Sequence, residues 1–386
     1  MRHKFNFEIC AKYNNNRINI DFVLERIIFH IDFDYFYAQC EEVRKPELKT
    51  KPVCVCVFSD RGADSGAIAT ANYTARSYGV KSGIPILFAK KRLEQRSDAV
   101  FLPVDFEYYS EMTESGMEIM KENADIFEYV GRDEAYLDVT KRLEGNFKKA
   151  SSLAQKIKND IRDKIKLSCS IGVSSNKLIS KIASDYQKPD GLTIIETDKI
   201  EQFLNPLDIR VIPGIGKKTE QRFKEMNLET IEDLKKIDVF TLNKEFGRKN
   251  GTYIYNSIRG INNDPVKEKE ESIQYSKIAT LKKDSKDYEF LLENLKELCK
   301  QVHGIIKENN KMFKSIGIHF VQSDLTNKSK SKMLRNSTDN LEELEKNVEQ
   351  LLLDALDSQT MTIRRVGVRV ADLTEIKGQS DITNYF

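Results

Sequence analysis

Residues 25–42 read ERIIFHIDFDYFYAQCEE, an apolar run with Asp32 and Asp34 set into its middle. The side chains of 27–33 spell a buried strand, and the period then changes to that of a helix over 35–43. Strand residues alternate faces, so Asp32 and Asp34 project to one side and Phe33 to the other. Asp34 stands where a helix N-cap is wanted. Asp32 lies two residues earlier, inside the strand, where a carboxylate is costly unless paired, hydrogen-bonded or metal-bound. A second acidic pair, Asp133 and Glu134, sits in GRDEAYLDV at 131–139, directly after the apolar IFEYV. Neighbours in a regular strand face apart, so these two can join Asp32 only near a hairpin bend or if Glu134 reaches around an edge. On that condition three carboxylates converge, a hard oxygen donor set suited to two Mg²⁺ ions, with Mn²⁺ as a substitute. Spacing alone leaves ordinary salt-bridged acids as the alternative.

The chain has 386 residues and 40% hydrophobic content, room for two to four domains at roughly 100–200 residues each. Its net charge of +2 conceals 32% charged residues, so any nucleic-acid surface has to be local. Cys10, Cys40, Cys54, Cys56, Cys169 and Cys299 occur singly or as C-x-C, without zinc-ligand spacing, which points to a reduced, cytoplasmic setting. No apolar run reaches the roughly 18–20 residues of a membrane span, and the N-terminus lacks a signal-peptide apolar region. No membrane partner is expected.

Residues 1–24 are polar and Asn-rich and show neither period clearly, so they read as an extension. Strands and helices alternate to residue 194, as in an α/β or α+β domain. From 195 to 260 strand signals vanish and short helices surround PGIG at 213–216. The charged stretch INNDPVKEKEES at 261–272 reads as a linker. Over 273–373 the order is strand, helix, strand, strand, helix, strand, the βαββαβ order of a ferredoxin-like sheet, followed by a tail at 374–386.

The ordered segments DFDYFYAQCEE, SGAIATANYTAR with YGVKSGIP, DEAYLDVT, SIGVSSNKLISKIASDYQKPDGL and VIPGIGKKT resemble the motifs of the Y family of DNA polymerases, DNA polymerase IV type. The resemblance runs from about Ile27 to Leu373. It implies an α+β multidomain right-hand polymerase that copies damaged templates. The implied parts are a ferredoxin-like palm (25–35 and 103–194), small fingers (36–102), a helical thumb with a helix-hairpin-helix (195–260) and a little finger (273–373). By motif, Asp32 and Asp133 would bridge the metals, Glu134 would complete the catalytic metal site, and the Phe33 carbonyl would be a further ligand. Tyr37 matches the steric gate that rejects a 2′-hydroxyl, and Thr70, Tyr73, Arg76 and Lys188 match triphosphate contacts. Val57, Ala67, Ala69 and Gly83, with Gly66, match a thin roof over the nascent base pair, where missing bulk admits a distorted base.

Primer-template DNA and dNTP are the implied partners, and the protein is read as a monomer. Gly214, Gly216 and Lys217 resemble a hairpin whose backbone N–H groups meet DNA phosphate. In the last domain Lys314, Lys330, Lys332 and Arg335, with Arg365 and its neighbours, are expected to form one basic sheet face on the DNA backbone. Gln379, Ile382, Tyr385 and Phe386 have the spacing of a sliding-clamp-binding peptide, of an archaeal or eukaryotic kind. Two features depart from the family pattern. Arg132 replaces an aliphatic residue beside the acids, and 1–24 precede the usual start, so translation from near Leu24 is expected. A nucleotidyl cyclase and a non-catalytic clamp-associated scaffold are the competing readings; the downstream hairpin and intact acids speak against them.

Overall fold

The computed structural model describes residues 9–14, 17–22, 24–59, 61–62, 64–268, 272–356 and 361–375. The chain divides into two compact units, one of residues 1–56, 68–84 and 89–269, the other of 57–67, 85–88 and 270–386. The terminal clamp-type peptide lies outside the described residues.

The first unit begins with a hairpin, β1 (Ile9–Asn14) and β2 (Arg17–Phe22), paired from Ile9↔Phe22 to Asn14↔Arg17. The segment read above as an extension without a period therefore holds one within 17–22, where Ile18, Ile20 and Phe22 alternate with polar residues.

Next come β3 (Ile28–Phe33), α1 (Phe36–Arg44), β4 (Val53–Phe58), β5 (Gly66–Ala71), α2 (Tyr73–Arg76), α3 (Ile86–Arg92) and β6 (Val100–Pro103). They are followed by α4 (Phe106–Glu122), β7 (Ile126–Tyr129), β8 (Glu134–Asp138), α5 (Phe147–Ile165), β9 (Cys169–Ser174), α6 (Lys177–Tyr186) and β10 (Leu192–Ile194). Strands β10-β9-β3-β8-β7 form one sheet with β3 at its centre. Phe29, Ile31, Phe33, Ala135 and Leu137 line one face and pack against Met117, Met120, Ile157 and Ile161 of α4 and α5. Burial of each such side chain stabilises the fold by roughly 1.5–3 kcal/mol, which is why the strand reads as continuously apolar. The opposite face presents His30, Asp32, Glu134 and Tyr136, and α6 lies across it. Gly172 makes that approach possible, because a Cβ there would run into the backbone of Ser180 and Ser184.

Asp34 is not the cap of α1. Tyr35 takes the N-cap position in a left-handed conformation (φ 37°, ψ 46°) and makes no side-chain cap bond. The chain turns at Tyr35, and Asp34 swings under the sheet to accept hydrogen bonds from the Ser168 and Ser170 hydroxyls at 2.8 and 2.7 Å and from the Asp190 amide at 2.8 Å. A carboxylate with three donors needs no helix terminus to satisfy it.

The helical part of this unit contains α7 (Ile200–Leu204), α8 (Lys217–Glu225), α9 (Ile231–Lys235), α10 (Val239–Phe246) and α11 (Arg248–Ser257) around Ile212, Phe223, Leu234 and Leu242. Gly214 has φ 86°, Gly216 is the N-cap of α8, and the Tyr253 hydroxyl holds the Pro213 carbonyl at 2.7 Å.

The second unit contains β11 (Gln274–Ser285), α12 (Tyr288–Glu308), β12 (Lys311–Gln322), β13 (Asn327–Thr338), α13 (Leu341–Leu356) and β14 (Ile363–Ala371). Its sheet order is β11-β14-β12-β13, so each helix crosses over one intervening strand, a split βαβ arrangement. Ile316, Ile318 and Phe320 face the helices together with Val366, Val368 and Val370. Register pairs Lys332 with Ile316 and Lys330 with Ile318, whereas Arg365 and Arg369 pair with Val321 and Gly317. The basic residues therefore do not share one face. Lys330 and Lys332 flank the helix side of an edge strand, where the Lys330 ammonium caps the Asp354 carbonyl, and Arg365 and Arg369 stand on the open side. Within this unit Arg61 donates to the Leu281 carbonyl at 2.6 Å and pairs with Asp284. Gly66 (φ 138°) fits because a Cβ would strike the Val57 carbonyl.

Candidate active site

Asp32 ends the central strand and is the register partner of Glu134, so both side chains emerge on the α6 face. Asp133 sits in the bend between β7 and β8, and its carbonyl accepts the Phe33 amide at 2.8 Å. The hairpin bend thus removes the objection that adjacent residues face apart. Burial pushes the Asp32 carboxyl up to about 7 against the pull of Lys188, with Asp133 adding repulsion. Asp133 is raised by burial first and by Glu134 second. Two partly desolvated, mutually repelling carboxylates are a donor set that a divalent cation relieves.

Lysines meet these acids. Lys188 contacts Asp32 at 2.7 Å and Asp185 at 2.8 Å. Its charged form is favoured because the two carboxylates outweigh burial. Lys181 pairs with Glu134, and the buried His30 ring lies 3.1 Å from the same oxygen through Nε2 and 2.7 Å from the Ser184 hydroxyl through Nδ1. Burial holds His30 below its ordinary pKa; its Nε2 faces Glu134, and its Nδ1 faces the Ser184 hydroxyl, which itself donates to the Lys181 carbonyl at 2.8 Å. The hydrogen bond between His30 and Glu134, with Lys181 beside it, lowers the Glu134 carboxyl to about 2 against its burial. Among the described residues no three His, Cys, Asp or Glu side chains are grouped as a ready metal-ligand set. The ammonium groups hold the acids instead.

Tyr37 projects from α1 and stacks on Tyr109 at 4.5 Å, with the Phe106 ring edge-on at 6.1 Å. The Arg132 guanidinium lies 5.2 Å over that Phe106 ring and donates to the Ser110 hydroxyl at 2.6 Å, so it turns onto α4 and pairs with no carboxylate among the described residues. Asn72 caps α2 by accepting from the Ala75 amide at 3.0 Å and donates to the buried Glu42 at 2.8 Å. Glu42 also accepts the Tyr35 hydroxyl at 3.0 Å, which ties the helix of Tyr37 to the helix of Tyr73 and Arg76. Arg76 stands 5.1 Å over the Tyr73 ring and donates to the Ala71 carbonyl at 2.8 Å. Thr70 lies on β5 just before them.

Sequence reasoning missed His30, Lys181, Ser184, Asp185 and Glu42. Part of the signal was present: Lys177, Lys181, Ser184, Asp185 and Lys188 recur at helical spacing and mark a polar face of an otherwise apolar helix. Nothing local links His30 to Glu134, 104 positions apart.

Residues 31–185 match the impB/mucB/samB family, 210–262 the DNA polymerase iota thumb domain, and 272–383 the impB/mucB/samB C-terminal domain. DNA polymerase IV of Nitrosopumilus maritimus is 76% identical over 361 residues, spanning 94% of this chain and 99% of that protein. DNA polymerase IV of Methanosarcina acetivorans is 39% identical over 369 residues, spanning 94% and 100%. Among solved structures, the Y-family DNA polymerase chimera of Dbh and Dpo4 superposes with a TM-score of 0.84 at 34% identity, covering 90% of this chain and 99% of that one. The insertion ternary complex of Dbh DNA polymerase gives 0.66 at 34% identity, covering 90% and 99%. A relative so similar over nearly its whole length, and solved polymerases matching the same span, favour neither the cyclase nor the scaffold reading. The chain belongs to the Y family of DNA polymerases, in its DNA polymerase IV branch, and is a DNA-directed DNA polymerase.

Proposed function

We propose that Asp32, Asp133, Glu134 and the Phe33 carbonyl hold two divalent cations, Mg²⁺ with Mn²⁺ as substitute, in a low-fidelity polymerase that copies damaged or distorted templates. The observation that carries this reading is the register pairing of Asp32 with Glu134 at the end of the central strands, with Asp133 next in the hairpin bend and both aspartates driven upward in pKa by burial. Their donor chemistry fits hard cations. When bound, such cations supply positive charge at the α-phosphate and the primer 3′-oxygen.

The chain's own residues do the positioning. His30 and Lys181 hold Glu134 ionised and in one rotamer. Lys188, on a turn beside Asp32, can exchange its carboxylates for triphosphate oxygens, with the Tyr73 hydroxyl and the Arg76 guanidinium holding the outer phosphates and Thr70 alongside. Tyr37, backed by Tyr109, lies under the deoxyribose and excludes a 2′-hydroxyl. The 3′-hydroxyl then attacks the α-phosphorus in line, the new O3′–P bond forms as the bridging α–β bond breaks, and pyrophosphate leaves. Small residues at Ala67, Ala69 and Gly83, with the half-exposed Val57, offer little resistance to a misshapen base.

Primer-template DNA and dNTP are the substrates in this reading, which the ternary complex of Dbh polymerase supports. The Gly214–Gly216 hairpin with Lys217, and Arg365 and Arg369 on the open sheet face, are assigned to the DNA backbone, with Lys314, Lys330, Lys332 and Arg335 as edge contacts. Gln379, Ile382, Tyr385 and Phe386 are assigned to a sliding clamp, engaged by a monomer. No described helix is long and apolar enough to cross a membrane.

Primer extension on intact and lesion-bearing templates tests the reading. Asp133→Ala and Glu134→Ala should each abolish extension while primer-template binding persists. Normal extension by Glu134→Ala would refute the assignment.

A further inference from the structure

We propose that a basic cavity beside the nucleotide site receives the pyrophosphate product on its way out. The proposal rests on the assignment of Tyr73, Arg76 and Lys188 to the triphosphate.

The cavity encloses about 330 Å³ between the first turns of α1, the start of α2 and the junction of α5 with β9. That is about ten times the roughly 30 Å³ share of one water, room for a diphosphate with part of its hydration shell. Tyr35 and Tyr73 form one wall, their rings meeting edge to face at 5.3 Å. The Arg76 guanidinium stands 5.1 Å over the same Tyr73 ring, so that ring borders both the residues assigned to the triphosphate and the cavity.

Beyond that wall the lining is cationic. Lys49, Arg162 and Lys166 border the cavity together with the Thr74 and Ser168 side chains. Arg162 is committed to Asp190 at 2.8 Å, but Lys166 donates only to the Asp163 carbonyl at 2.9 Å and Lys49 forms no ion pair among the described residues. Glu42 is the single carboxylate of the lining, and its two oxygens are taken by Tyr35 and Asn72. Two ammonium groups facing a concavity without carboxylate partners create a local positive potential that an anion satisfies.

The chemistry selects the anion. Before the bond breaks, the triphosphate is tethered through its base and α-phosphate. Afterwards the diphosphate carries the additional charge of its former bridging oxygen and is untethered. On one side the cations Lys181 and Lys188 are already matched by Glu134, Asp32 and Asp185, whereas on the other Lys49 and Lys166 have no carboxylate partner among the described residues. The diphosphate moves toward the latter pair.

The test is product inhibition of primer extension by inorganic pyrophosphate in the double variant Lys49→Gln/Lys166→Asn. Asn is used at 166 because that residue has φ 60°, which Asn tolerates. Both side chains are exposed, and primer-template binding and circular dichroism verify the fold. The inhibition constant for pyrophosphate should rise about tenfold, the equivalent of roughly 1.4 kcal/mol, while KM for the complementary dNTP stays unchanged. Unchanged inhibition overturns the proposal, and so does a parallel rise in the dNTP KM, which would place both cations in the triphosphate site. Arg76→Ala separates the two readings: if it leaves the dNTP KM unaltered, the nucleotide assignment fails on its own account.

Discussion

Asp32→Asn should make the metal-free protein more stable at pH 8 while abolishing synthesis. The folded Asp32 carboxyl titrates at about 7, against an ordinary value of 3.8. A raised carboxyl favours folding fully below its unfolded pKa and loses that advantage as pH rises through the folded one. Above pH 7 the ionised, desolvated group therefore costs roughly 4 kcal/mol at 1.36 kcal/mol per unit. At pH 5 only about a third of that cost is present. That cost already includes the pull of Lys188, which keeps Asp185 at 2.8 Å, but the buried Asn amide that replaces the carboxylate loses hydrogen bonding worth about 1–3 kcal/mol. The net gain is roughly 1–3 kcal/mol at pH 8, or several degrees at about 2–4 °C per kcal/mol, and about zero at pH 5. Thermal melts of both proteins in a chelator, at the two pH values, read this directly. Adding Mg²⁺ should then raise the wild-type Tm and leave the variant behind. If Asp32→Asn lowers Tm equally at pH 5 and pH 8, the carboxylate is not a desolvated cost and the reasoning fails.

Tyr37→Ala should raise ribonucleotide incorporation by about 10- to 200-fold, the effect of about 1–3 kcal/mol of lost exclusion, measured as the ratio of kcat/KM values for rNTP and dNTP; an unchanged ratio places the gate elsewhere. Gly172→Ala should destabilise the protein by about 1–3 kcal/mol through overpacking and depress kcat further, since α6 carries Lys181 and Ser184. The control Gly304→Ala has open space around it in α12 and should stabilise by about 0.4–1 kcal/mol. Arg365→Ala/Arg369→Ala should reduce the salt slope of DNA binding by about two, more than Lys330→Ala/Lys332→Ala does; equal slopes would restore a single basic face. Deletion of 379–386 should abolish clamp-stimulated synthesis and spare basal extension, and equal stimulation without the octet would dismiss the clamp reading.

Much of the architecture was legible because local period and burial agree. The two helices expected in the order over 273–373 appear as α12 and α13, and the strand over 27–33 matches β3 closely, since each carries an apolar stripe of the right period. The first hairpin escaped because Asn-rich composition masked a period of two. The single basic face failed for a related reason: counting lysines along strands says nothing of which side register assigns them.

At the active site the candidate acids were legible in the sequence as carboxylates embedded in apolar strands, a one-dimensional signal, whereas the candidate gate and the order of the domains came with the family resemblance. Only the tertiary structure decided how the acids are held. Asp32 meets Lys188 across 156 positions, and Asp34 is anchored by serines 134 and 136 positions away instead of capping the helix beside it. Whether a buried carboxylate is stabilised or strained depends on charges and donors within a few ångströms, and the long-range pairing of β3 with β8 and β9 is what brings those groups together.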